Sequence, residues 1–425
     1  SDIEDLGDLE RLRLVLEYMP DEELMQELEK ERGKGRDDFP VRAMWNSILA
    51  GVVFQHISVS SMRRELSRNG QLRFMCGFHK GKVPGAYVYS RFLKNLLEKE
   101  EMINDIFNAL VNELEELLPG FGANLAIDGK AISSLSKREN KNQEEDGRRD
   151  LDANWGKKEY KGVREDGTAW SKVVSWFGYK LHLIVDADYE LPVAYELTKA
   201  SASEVKQGHE MIDELNEVHP ELIDRCETLE ADRGYDDTKL FVKLWDDYGI
   251  KPVIDIRDMW KDSDKTRQLL DYENVIYDCK GNVYCVCMET SRERAMCVGG
   301  FEKDRKSHGT LRKLCPAKQY GIECKYIDKC PVKQGIRIDI DIDRRIFTPI
   351  DRASYKWDRT YDKRTAAERV NSRLDESFGF EKHYIRGIKK MKVRCGIALC
   401  VMLAMAAGRI KEGQAEKMRS LVQSA

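Results

Sequence analysis

The amino-acid sequence predicts a mixed protein, α/β at its centre and α+β overall. A helical N-terminal module precedes a core built on a mixed sheet, and a cysteine-rich, mostly β insertion interrupts that core. Three observations predict this. Helical periodicity fills the first 120 residues. Three strand-like runs then give way to alternating helix and strand. Seven of the 11 cysteines crowd into residues 279–330.

The elements follow in chain order. Residues 9–31 read as charged helix, 41–56 and 58–77 continue the helical pattern, and Ser60 and Ser61 are expected caps. Residues 87–118 supply one or two further helices. NLAIDGKAI (124–132) reads as a strand, and the charged, Asn- and Gly-rich stretch 136–170 as a loop with little to bury. FGYKLHLIVDA (177–187) and LPVAYELT (191–198) are strands joined by a tight turn. A helix capped by Ser203 follows, then a strand at ETLEADRGY, a helix closed by Gly249 and a strand at IKPVIDI. The expected boundaries are 1–120, a core in two parts (121–271 and 348–388), the insertion 272–347, and a C-terminal helix in 389–425.

Composition narrows the function. Hydrophobic residues make up 41% and charged residues 34%, above the globular norm of about 25%. A net charge of −4 argues against a generic nucleic-acid binder, but the charge is uneven. Residues 1–40 hold 14 acids and 6 bases, whereas 344–394 hold 15 bases and 7 acids. A basic segment in an acidic protein suits a phosphate-binding face. No stretch reads as the roughly 18 apolar residues that cross a bilayer, and CGIALCVMLAMAAG (395–408) reads as a buried helix. The acidic first residues lack the features of a secretory leader, so the expected location is cytoplasmic, with no membrane partner.

Chemistry centres on three carboxylates. Asp128 in LAIDGK and Asp232 in LEADRGYDD each end an apolar strand, where side chains project into a functional crevice. YDKRTAAERVNSRLD (361–375), as a helix, puts Tyr361, Arg364 and Glu368 on one side and Ala366, Ala367, Val370 and Leu374 on the other. Three such carboxylates suit two hard cations of the Mg²⁺ type, about 3.5–4 Å apart, for in-line phosphoryl displacement.

These motifs, with WFGYKLHLIVDADYELPVAYELTKASASE between them, resemble a bacterial DDE transposase of the broad insertion-sequence four/five-like group. The resemblance runs from about residue 40 to 400. It implies a ribonuclease H-like catalytic core, with Asp128, Asp232 and Glu368 as the catalytic triad binding two Mg²⁺ or Mn²⁺ ions. Tyr361, Arg364 and Glu368 match the family's Y-x2-R-x3-E spacing. The family often places a Lys seven positions after the Glu; here Asp375 stands there, with Lys382, Lys389 and Arg373 as substitutes between which nothing selects. The implied partners are double-stranded DNA, as terminal inverted repeats and target, and a second copy of the chain on that DNA. The implied reaction is cut-and-paste transposition, through hairpin ends or by direct joining. A nuclease without strand transfer and a domesticated DNA-binding protein are the alternatives.

Cys279, Cys285, Cys287, Cys297, Cys315, Cys324 and Cys330, with His308, could supply four ligands to Zn²⁺. The competing reading is buried small hydrophobes, and the sequence has no CxxC pair to decide it. Cys76, Cys226, Cys395 and Cys400 read as structural. Trp260, Trp357, Tyr361, Arg364, Arg373, Lys389 and Lys390 are the candidate DNA contacts, by aromatic stacking and phosphate pairing. Lys137, Arg138, Arg148, Arg149, Lys157 and Lys158 lie in the expected loop; His182 and His209 read as structural.

Overall fold

The computed structural model describes residues 7–33, 38–78, 82–136, 150–164, 168–260, 264–303 and 307–421. The N-terminal part is helical: α1 (Leu9–Tyr18), α2 (Glu22–Arg32), α3 (Val41–Val53), α4 (Val59–Arg68), α5 (Gly70–Met75), α6 (Ala86–Leu97) and α7 (Glu100–Leu117). The expected helix over 9–31 is two helices, because Pro20 lies between them and has no N–H to continue the ladder. The cap of α4 is Ser58, whose side chain accepts from Ser61 N at 3.1 Å, in place of the expected Ser60 or Ser61.

The central sheet holds β1 (Asn124–Ser133), β2 (Asn154–Val163), β3 (Ala169–Asp186), β4 (Leu191–Lys199), β5 (Thr228–Ala231) and β6 (Lys251–Ile254). Between β4 and β5 run α8 (Glu204–Val218) and α9 (Pro220–Arg225); α10 (Thr238–Val242) leads to β6. β1 pairs antiparallel with β3, and β3 with β4; on its other edge β1 pairs parallel with β5, and β5 with β6. Across the sheet the order β4-β3-β1-β5-β6, with this alternation of direction, is the ribonuclease H-like arrangement. Ser203 caps α8 as expected, accepting from Lys206 N at 3.4 Å.

One segment departs from its expectation. Residues 154–163, read as loop, form β2 and pair with 169–178 of β3. A two-stranded ribbon satisfies its backbone by cross-strand hydrogen bonds and needs little buried area, so low apolar content misleads there. Trp155 and Phe177, facing across the ladder at 5.6 Å, help set its register. Lys137, Arg138, Arg148 and Arg149 lie outside the described residues.

After β6 the chain builds two small antiparallel sheets. The first joins β7 (Thr266–Gln268), β8 (Val275–Asp278), β9 (Val283–Val286) and β10 (Glu293–Ala295). The second joins β11 (Cys297–Glu302), β12 (Thr310–Leu314) and β13 (Ile336–Asp339), with α11 (Pro316–Tyr320) between the last two. The chain returns through α12 (Tyr355–Tyr361), α13 (Thr365–Phe378) and α14 (Ile388–Lys411).

Two apolar clusters hold these parts. The larger runs without interruption from Leu12 in α1 through the central sheet to α13 and α14. The smaller gathers Trp245 with Leu269, Val283, Leu311, Ile338 and Phe347 inside the insertion. Helix α14 is the buried helix expected over 395–408, but it corrects the expectation that no stretch is long enough to span a bilayer. At 24 residues, with an 18-residue window of mean hydropathy 1.7, it is long and apolar enough to cross a membrane. That window is 83% buried within the fold, which is the pattern of a central core helix.

Candidate active site

The register of the parallel pair brings two of the carboxylates together. β1 and β5 run side by side, their last paired residues being Ile127 and Ala231. Asp128 and Asp232 each follow immediately, so they emerge at the same level on neighbouring strands. Asp232 begins a tight turn, its Oδ1 accepting from Gly234 N at 2.7 Å, while Lys158 Nζ from β2 lies 3.7 Å from Oδ2.

Glu368 arrives on α13. Ala366, Ala367, Val370 and Leu374 are fully buried against the sheet, which fixes the rotation of the helix and leaves Glu368 in the first turn facing outward. Two polar links fasten α13 to β1. Asn371 Nδ2 donates to Asp128 Oδ2 at 3.4 Å, and Lys130 pairs with Asp375. The position where relatives often carry a Lys is therefore an acid that receives a Lys from the strand. Asp128 feels the charges of both other acids: burial, opposed by Lys158 and reinforced by Asp232 and Glu368, raises its carboxyl to about 6. The three acids thus share one electrostatic neighbourhood.

Arg364 forms an ion pair with Glu368, and its guanidinium carbon lies 5.4 Å from the Tyr361 ring centre. Tyr361 in turn stacks on Trp357 at 4.8 Å and 12°. These three DNA-contact candidates form one continuous ledge ending at Glu368. The other candidates lie elsewhere. Trp260 packs edge-on against Tyr277 in the insertion, with Arg267 over its face at 4.3 Å. Arg373 donates to Glu190, to its carboxylate at 3.0 Å and its backbone oxygen at 2.8 Å, and so ties α13 to the β3–β4 turn. Lys389 and Lys390 are exposed in the first turn of α14, Lys389 paired with Glu98 at 3.4 Å. His182, buried beside Thr198 at 3.0 Å, and His209, paired with Asp237, are structural.

Among the described residues, no three His, Cys, Asp or Glu side chains already stand arranged to hold a metal ion. The donor chemistry at the triad nevertheless fits hard divalent cations: three carboxylates, one of them partly buried and raised chiefly by desolvation. The cysteines differ. Cys285, Cys287, Cys315, Cys324 and Cys330 border one small cavity, as free thiols, while Cys279 and Cys297 do not border it. His308 pairs with Asp341 and Asp246 instead of with any thiol. The zinc expectation therefore has no geometric support.

Sequence reasoning missed Lys130 and Asn371 and placed Lys158 only in an expected loop. Lys158 and Asn371 reach Asp232 and Asp128, Lys130 reaches Asp375 on the same helix as Glu368, and Asn371 alone had a local signal, one helical turn beyond Glu368.

A ribonuclease H-like sheet with an Asp on or just after each of two neighbouring inner strands, and a Glu on the helix packed beside them, has the arrangement of a nucleotidyl-transferring enzyme of the DDE class. The chain matches the family model described as "Transposase DDE domain" over residues 124–404, more than half its length, and it belongs to that family. It is a DDE transposase, an enzyme of DNA cleavage and strand transfer. Among solved structures it is similar to the piggyBac transposase in a cryo-EM synaptic complex with hairpin DNA. The identity is 12%, 98% of this chain and 86% of that one are covered, and the TM-score is 0.32. No curated protein matches the chain.

Proposed function

We propose that the protein mobilises an insertion sequence of the insertion-sequence four/five-like group by cut-and-paste, with Asp128, Asp232 and Glu368 as its catalytic carboxylates. The observation that supports this best is the parallel register that sets Asp128 beside Asp232, with the Glu368 helix tied to Asp128 through Asn371. Bound among these oxygens, two Mg²⁺ or Mn²⁺ ions would activate the attacking oxygen and stabilise the leaving one. The chain's own groups orient the substrate. Arg364, with its planar fork, suits the phosphate next to the scissile bond. Lys158 places a further positive charge beside Asp232. The β2–β3 ribbon carries exposed Trp155, Trp170 and Lys172, a mixture that suits a DNA strand.

The substrates are then the element's terminal inverted repeats and a target duplex. Two ends must be joined, so a homodimer on DNA is proposed, working in the cytoplasm. The helical part up to residue 120 serves end recognition and assembly, and the insertion clamps DNA.

The test combines protein, Mg²⁺, linear element ends and supercoiled plasmid. Joined products are expected, and Asp128→Ala, Asp232→Ala and Glu368→Ala should each lower cleavage and joining on the order of a hundred- to a thousand-fold. Cleavage without joining would make the protein a nuclease. Full activity in all three variants would refute the assignment.

A further inference from the structure

A fourth carboxylate approaches the same centre from helix α8. Glu204 opens that helix, and its Oε1 lies 3.0 Å from Lys180 Nζ of β3, which also donates to Ala202 O at 3.1 Å. Two glycines make room for it. Gly129 follows Asp128, and a β-carbon there would stand 3.2 Å from Lys180 Cδ and 3.3 Å from Glu204 Oε1. Gly234 lies two residues after Asp232, and a β-carbon there would stand 2.3 Å from Glu204 Oε2 and 2.7 Å from Asp232 Oδ1. Neither glycine has a positive φ, so backbone conformation does not demand glycine at either position; a β-carbon there would instead have to displace the ends of these side chains. Glu204 Oε2 and Asp232 Oδ1 therefore crowd one point.

An independent observation comes from the same face of α8, where a β-carbon at Gly208, one turn after Glu204, would stand 3.1 Å from Tyr235 Cδ1. The Tyr235 side chain is fully buried, and its hydroxyl has no hydrogen-bond partner among the described residues. It sits where the charges of Asp128, Glu204 and Asp232 all reach it. A polar atom buried without a partner costs roughly 1–3 kcal/mol, so its retention points to a role.

We propose that Glu204 is a fourth carboxylate of the metal centre, presenting Oε2 beside Asp232 while Lys180 holds Oε1 and fixes its orientation. This rests on the proposed Asp128–Asp232–Glu368 site. The carboxylate would add an anionic ligand on the side of the sheet away from α13, and the Tyr235 hydroxyl would hydrogen-bond to that ligand shell.

The experiment is Mn²⁺ binding to the full chain without DNA, read by electron paramagnetic resonance of free Mn²⁺, with thermal melts alongside. Glu204→Gln should weaken Mn²⁺ binding about ten- to a hundred-fold. Glu204→Asp, which keeps the charge, should recover part of the loss and melt as the parent does. Parental Mn²⁺ binding in Glu204→Gln, with binding lost in Asp128→Ala, would overturn the inference and leave the triad standing. So would loss in both Glu204→Gln and Glu204→Asp that tracks a lowered melt in each. Parental binding in Asp128→Ala and Asp232→Ala would instead bring down the triad reading itself.

Discussion

Asp128 carries the sharpest residue-scale consequence. Its carboxyl rises from the ordinary 3.8 to about 6, first by burial and then, against Lys158, by its acidic neighbours. The folded state therefore holds this proton more tightly than the unfolded chain, and between about pH 4 and 6 stability falls as pH rises. Above that window the full cost of the buried anion is present. Asp128→Asn should accordingly be more stable than the parent by about 2 kcal/mol at pH 8, with the gap closing towards pH 4, while activity is lost. Melts across pH check this; equal pH dependence in parent and variant would contradict it. The three carboxylates stood out in the sequence because each Asp follows an apolar run and Glu368 opposes an apolar stripe. Lys158 stood there only as part of an expected loop, and Lys130 and Glu204 not at all, since their significance comes from pairing across strands and helices far apart in the chain. The pairing of Arg373 with Glu190, 183 residues away, was hidden for the same reason.

At the scale of elements, α13 is the part that sets catalytic geometry. Ala366, Ala367, Val370 and Leu374 on its inner edge are all fully buried. Leu374→Ala should cost about 2–5 kcal/mol, measured by denaturant unfolding. Ala367→Leu should act differently. Overpacking lifts the helix, so kcat should fall by more than the change in stability explains, with Glu368 displaced from Asp128. Unchanged kcat in a folded Ala367→Leu protein would show that the helix does not control the site. Strands with alternating or continuous apolar residues, such as β1, β3 and β4, were readable from periodicity. The β2 strand was not, because its stability comes from the ladder with β3 and from pairs such as Trp155 with Phe177. The break at Pro20 had a plain local signal in the proline itself.

At the scale of the whole molecule, the N-terminal helices, the sheet and the C-terminal helix share one apolar cluster, and the insertion keeps another. Helix α14 is apolar all round because it lies at the centre of the first cluster, although its length and hydropathy alone equal those of a membrane span. The sheet order follows from the strands and helices the sequence shows, but the closeness of Asp128 to Asp232 depends on a parallel register set by the entire core. The most direct measurement is anomalous diffraction from crystals soaked in Mn²⁺. Density at the junction of β1, β5 and α13, touching Asp128, Asp232 and Glu368, is the predicted result. Mn²⁺ bound only at other sites, with these carboxylates bare at saturating metal, would contradict it.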